Sequence, residues 1–171
     1  MSGIDGGDWI VVGASLGGVG LLIASTEAFA ARRRRREGRA ALLLLLMDLT
    51  AAEAAVQVLR NGVMVEDQIA RLLRRESVAS YIRELENRLR VEEIGFIARQ
   101  FMVAEGLFEE WRSGNRQGDY LPKIEAELSL AHELVGAKIE MSTPFFWLRH
   151  PAESRRLRRR VAELTGVEQA D

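Results

Sequence analysis

The chain has 171 residues, 24 Lys+Arg against 25 Asp+Glu, 47% hydrophobic residues, no cysteine and a formal net charge of −1. That length suits one domain, or one domain with an appendage, and apolar content this high argues against wholesale disorder. The missing cysteine excludes disulfide scaffolds, thiolate metal sites and cysteine nucleophiles.

The neutral average conceals blocks of charge. Residues 1–31 carry Asp5, Asp8 and Glu27 with no Lys or Arg, and residues 32–39 carry six Arg and one Glu. Residues 40–148 hold 12 basic and 17 acidic groups; residues 149–160 again carry six Arg and one Glu, and the tail 161–171 is acidic. Only Lys123 and Lys138 are lysines, a bias that points to a GC-rich genome more than to guanidinium chemistry.

Trp9 to Thr26 contains no charged residue, and extension to Ala31 adds only Glu27. As a helix, residues 9–31 span about 35 Å, enough for a hydrocarbon core of about 30 Å. Trp9 stands at one boundary and Arg32, Arg33, Arg34, Arg35 and Arg36 at the other. By the positive-inside rule the arginines stay cytoplasmic and residues 1–8 face outward. Gly13, Gly17, Gly20 and Ala24 share one helical face, where small side chains let a second helix approach closely, either a copy of this chain or a membrane-protein partner.

Three rival readings compete for this stretch. Ala28-Phe29-Ala30 imitates a signal-peptidase site, but the segment begins acidic and the arginines directly after the cut would hinder export. Gly13, Ser15 and Gly17 match G-x-S-x-G and resemble the nucleophile elbow of the α/β-hydrolase family, which implies Ser15 as nucleophile with a later acid and then His132 or His150. That fold needs strands ahead of the elbow, and only eight residues precede Trp9. Glycines at 13, 17, 18 and 20 fit neither the G-x-G-x-x-G dinucleotide fingerprint nor its short-chain-dehydrogenase variant.

From Ala40 onward the pattern predicts helices almost throughout. The first runs to a stop at Asn61-Gly62, with Leu42 to Met47 too short for a second crossing. Gly38 is the one weak point between anchor and domain. A second helix covers Val65 to Arg75, and Ser77 caps a third reaching Arg112. The third carries a stripe of Ile94, Ile97, Phe101, Ala104, Phe108 and Trp111 after a phase shift near Val91 to Glu93. Residues 113–119 form a loop. A fourth helix from Pro122 to Met141 turns Ile124, Leu128, Ala131, Leu134, Val135 and Ile139 inward. Ser142-Thr143-Pro144 opens a short turn bearing Phe145 to Leu148, and Pro151 starts a last helix ended by Thr165-Gly166. The expected fold is therefore all-α: an N-terminal transmembrane helix, an arginine-rich junction at 32–39, a cytoplasmic bundle of four to five helices over 40–148, and a basic amphipathic helix and tail at 149–171.

The chemistry-bearing residues are few. His132-Glu133 begins like H-E-x-x-H, but Gly136 occupies the second histidine's place. Ser129 and Trp147 stand where a di-iron bundle needs glutamate before His132 and His150. No metal or cofactor is expected. Glu92-Glu93 and Glu109-Glu110 read as solvated faces. In the last helix Leu157, Val161 and Leu164 make a narrow stripe amid Arg155, Arg156, Arg158, Arg159 and Arg160. Beside Phe145, Phe146 and Trp147, these arginines suit an anionic membrane surface. Nucleic acid fits less well, since no stacking aromatics are interleaved among them. In a third reading Phe145 to Leu148 plug the bundle core and the arginines are simply solvated.

The layout resembles a group of bacterial single-pass membrane proteins with an arginine-rich junction and a small helical domain. Glu92-Glu93-Ile94-Gly95-Phe96-Ile97 and Trp147-Leu148 are similar to that group's short signatures. The group has no assigned activity, so the resemblance implies a location and transfers no site residues. The expected role is a non-enzymatic, membrane-anchored accessory or partner-binding subunit at the cytoplasmic face, with a serine hydrolase or a nucleic-acid binder as alternatives.

Overall fold

The computed structural model describes the backbone of residues 6–63, 66–114 and 119–166, with side chains throughout these except 6–26, 28 and 75–78. Among the described residues there are seven helices and no strand. They are α1 (Gly6–Arg60), α2 (Glu66–Leu73), α3 (Arg75–Leu85), α4 (Val91–Arg112), α5 (Tyr120–Met141), α6 (Phe146–Arg149) and α7 (Pro151–Thr165). The chain divides into two units, Met1–Arg36 and Glu37–Asp171.

The first unit contributes residues 6–36 of α1. Its described side chains at 27 and 29–36 are exposed, Phe29 among them. α1 is near the N-terminus and is long and apolar enough to cross a membrane; where side chains are described, the qualifying segment is Phe29–Arg60.

The second unit is the helical bundle. Residues 40–60 of α1 lack Gly and Pro and are rich in Ala and Leu, the strongest helix formers. Leu42, Leu45, Leu49, Ala52, Val56 and Leu59 alternate in steps of three and four and are buried, whereas Leu43, Leu44 and Met47 on the other side are exposed. The helix ends at the expected Asn61-Gly62. The Gly62 N–H donates to the Leu59 carbonyl at 2.9 Å and the Val63 N–H to that of Val58 at 3.2 Å. With Gly62 at φ +86°, this is a Schellman cap.

α4 and α5 form an antiparallel pair at the centre. Ile97, Phe101, Ala104, Phe108 and Trp111 meet Ile124, Leu128, Ala131, Leu134 and Val135 in one core, with Phe108 and Trp111 stacked at 5.7 Å between centroids. Residues 37–60 of α1 run antiparallel to α5: Glu53 meets His132 Nδ1 at 2.9 Å, Gln57 Nε2 donates to Glu125 at 2.9 Å, and Arg60 lies 3.6 Å from Glu125. Near its entry α1 also lies against the turn after α3. A Cβ on Gly38 would stand 2.7 Å from Arg88 Cγ and 3.0 Å from the Glu84 carbonyl oxygen. Gly38 is thus a close-approach site inside a helix. It is not a break.

α2 ends at Leu73, short of the expected Arg75, and α5 begins at Tyr120, ahead of Pro122; two further boundaries differ more. α3 starts at Arg75, ahead of Ser77, and the single helix expected from Ser77 to Arg112 is two helices, α3 and α4. The phase shift in the apolar stripe marks the break. The Asn87 amide turns back to the Arg83 and Glu84 carbonyls, a local bond that competes with helix continuation. Arg90 then adopts an extended conformation, and its backbone N–H donates to Glu93 Oε2 at 2.9 Å. Arginine offers no acceptor, so only this half of a capping box forms.

Candidate functional site

The predicted site residues fall into three groups. Gly13, Gly17, Gly20 and Ala24 lie in the helical backbone of α1, whose periodicity places them within one narrow arc; their surroundings lie outside the described side chains. Ser15 shares that backbone. A nucleophile elbow needs its serine on a tight turn after a strand, and residues 13–17 lie inside α1. Arg32, Arg33, Arg34, Arg35 and Arg36 follow in α1 and are exposed.

The third group is α7. Pro151 occupies its first turn, where a missing N–H costs nothing, and Gly166 ends it at φ +68°. Its apolar stripe faces the bundle: Ser154 and Val161 are buried and Leu164 packs against the core. Arg155, Arg156, Arg158 and Arg159 are exposed on the remaining faces, and none of them is in an ion pair among the described residues. Arg160 differs. Its guanidinium clamps Glu133 of α5 with Nε and Nη2 at 2.6 and 2.9 Å and reaches Glu163 at 3.4 Å.

The hydrogen bond from Arg160 holds the Glu133 carboxyl below its usual range, partly offset by burial, and the pair raises the already high Arg160 value. A depressed carboxylate pKa stabilises the fold above the unfolded value of about 4.3 and loses that contribution as pH falls through the folded value. Amide exchange across 151–165, corrected for intrinsic rates, is therefore expected to accelerate relative to α4 below about pH 4. An Arg160→Gln chain should lack that acid step. Tyr81 shows the opposite sign. Burial, then the Asp48 carboxylate that accepts its hydrogen bond, raises the phenol pKa, so its contribution is present below about 10 and lost above.

The segment between α5 and α7 departs from the core-plug reading. Phe145 is 62% exposed, Trp147 59% and Leu148 56%, and Phe146 is half-buried and stacked on His150 at 5.3 Å. Phe145 is the one non-glycine residue at positive φ among those described (φ 60°, ψ 15°). An L-residue in the left-handed region costs about 1–2 kcal/mol, and a bulky one there marks strain held by its surroundings.

The bundle also hides a charge pair that sequence reasoning missed. Glu93 is buried, not solvated: its carboxylate meets Lys138 Nζ at 2.5 Å, with 5% and 18% of the two side chains exposed. The acid at the third position of α4 and the rare lysine were the available signals. Gln100 is 2% exposed, and its Oε1 is among the buried atoms without a hydrogen-bond partner. His132 stands half-buried on Glu53, with no second histidine beside it in its helix turn. No group of three or more His, Asp or Glu able to hold a metal occurs among the described residues. Comparison with protein-family models, curated proteins and solved structures finds no match to this chain.

Proposed function

We propose that this chain is a single-pass protein of the bacterial inner membrane, anchored by residues 9–31 with its N-terminus outside. Its helical domain acts without catalysis at the cytoplasmic face, as a partner-binding or accessory subunit. The observation that carries the reading is the uncharged run Trp9–Thr26 closed by Arg32 to Arg36. Within the longer apolar segment Phe29–Arg60, one face is already committed to the bundle core, which favours the upstream run as the span. Gly13, Gly17, Gly20 and Ala24 would then face a second helix, and the arginines at 32–36 and on α7 would meet acidic headgroups.

Carbonate washing of membranes tests the anchor. The intact chain is expected to stay in the pellet and to require detergent for release. Because the chain has no cysteine, a Gly3→Cys variant should react with an impermeant maleimide from outside the cytoplasmic membrane, in spheroplasts. Recovery in the carbonate-soluble fraction would remove the reading.

A further inference from the structure

Four observations place a particular set of residues at one end of the bundle. Residues 37–60 of α1 run antiparallel to α5, so the C-terminus of α5 lies at the end where α1 enters. The Glu93–Lys138 pair puts the N-terminus of α4 at that same end. Gly38 against Glu84 and Arg88 puts the α3–α4 turn there. The Arg160–Glu133 clamp makes α7 antiparallel to α5, so its N-terminus and α6 are there too. This end therefore carries Val91, Phe145, Trp147 and Leu148, whose exposures are 80%, 62%, 59% and 56%. It also carries exposed Arg149, and Arg155 and Arg156 follow in the first turns of α7.

We infer that the corner formed by Phe145, Trp147 and Leu148, with the arginines of α6 and α7 around it, is a second membrane contact that docks the bundle on the anionic leaflet next to its own anchor. The inference rests on the anchor reading above and adds the docking face, the apolar corner that carries the bundle onto the acidic leaflet. The chain passes from the proposed span through Arg32–Arg36 into the bundle at this end, so the nearest available apolar phase is that membrane. The charges select its acidic lipids: Arg149, Arg155 and Arg156 are exposed around the corner, whereas Arg160 is held by Glu133. The Trp147 indole suits the headgroup level, with its ring buried in lipid and its N–H wet, and Phe145 and Leu148 add purely apolar area beside it. The left-handed backbone at Phe145 is the independent sign. It presents a large ring to solvent in a conformation that glycine would adopt without penalty.

The test uses the full chain in nanodiscs of phosphatidylcholine, with or without an equal part of phosphatidylglycerol. Thr143→Cys at the corner and Glu110→Cys toward the far end of α4 are each spin-labelled, and collision with a water-soluble nickel chelate is read. In anionic discs the Thr143 label is expected to be several-fold less accessible than the Glu110 label, and in neutral discs the two should match. Adding Trp147→Ala with Leu148→Ala should abolish the difference. Neutralising Arg149, Arg155 or Arg156 should each weaken docking by about fivefold. Phe145→Gly should reduce protection at Thr143 while leaving the thermal midpoint unchanged or higher, which separates docking from folding. Equal accessibility of both labels in anionic discs overturns the inference. Protection at Thr143 that persists in neutral discs also overturns it, assigning the corner to a protein or to self-association. A chain that fails to enter discs overturns the anchor, and with it a second contact beside that anchor.

Discussion

Glu93→Ala is expected to lower unfolding free energy by about 3–5 kcal/mol, because it leaves the partly buried Lys138 amine charged and unpaired at the edge of the core. Lys138→Ala should cost a similar amount for the mirror reason. The larger loss belongs to Glu93, whose carboxylate also accepts from the Arg90 N–H at the start of α4. The informative chain is the double variant Glu93→Met with Lys138→Met. Buried ion pairs often give way to apolar pairs of similar volume without loss, so the double variant should be more stable than either single alanine variant. Urea melts of the wild type, both single alanine variants and the Glu93→Ala/Lys138→Ala double close the cycle, with the double methionine variant measured beside them. Additive losses would show that the two residues act separately.

Leu45→Ala is the second large effect, at about 2–5 kcal/mol, since Leu45 is fully buried in the bundle core. Met47→Ala, two residues away and 67% exposed, should change stability by less than about 0.5 kcal/mol. The contrast bears on which part of α1 is membrane and which is core. A segment lying in lipid would be insensitive to the difference between these two faces in a denaturant melt. A segment serving as the wall of a water-soluble bundle would show it fully. Equal small losses at both positions would take residues 40–60 out of the core.

The helices were legible where one physical signal dominated. Steps of three and four from Ile97 to Trp111 and from Ile124 to Val135 specify a buried face directly, and Asn61-Gly62 specifies a stop through glycine's access to positive φ. The break between α3 and α4 was visible only as a change of phase. Its local causes, the Asn87 amide turned back on the preceding carbonyls and the extended Arg90, act together with the burial of Leu89 in the turn. Glu93 could not be read as buried from its neighbours, because the partner that compensates it sits on another helix, far along the chain. Burial of a charge is a property of a pair. Phe145 to Leu148 posed a comparable problem. A run of four apolar residues reads equally well as core or surface, and only the turn geometry after Ser142 sends Phe145, Trp147 and Leu148 outward.

Gly38 carries a consequence for how the entry helix is indexed in the bundle. Sliding α1 along its axis by one turn, about 5.4 Å, would bring Leu42 or Arg34 to the place where even a methyl group meets Arg88 and the Glu84 carbonyl. The missing side chain therefore works as a keyway with a single setting. Movement of α1 within the bundle is restricted to bending or to release of the α3–α4 turn, and pistoning by a helical repeat is blocked. A one-residue insertion between Gly38 and Leu42 would force a choice, since turning the helix by about 100° cannot satisfy both the key and the leucine face.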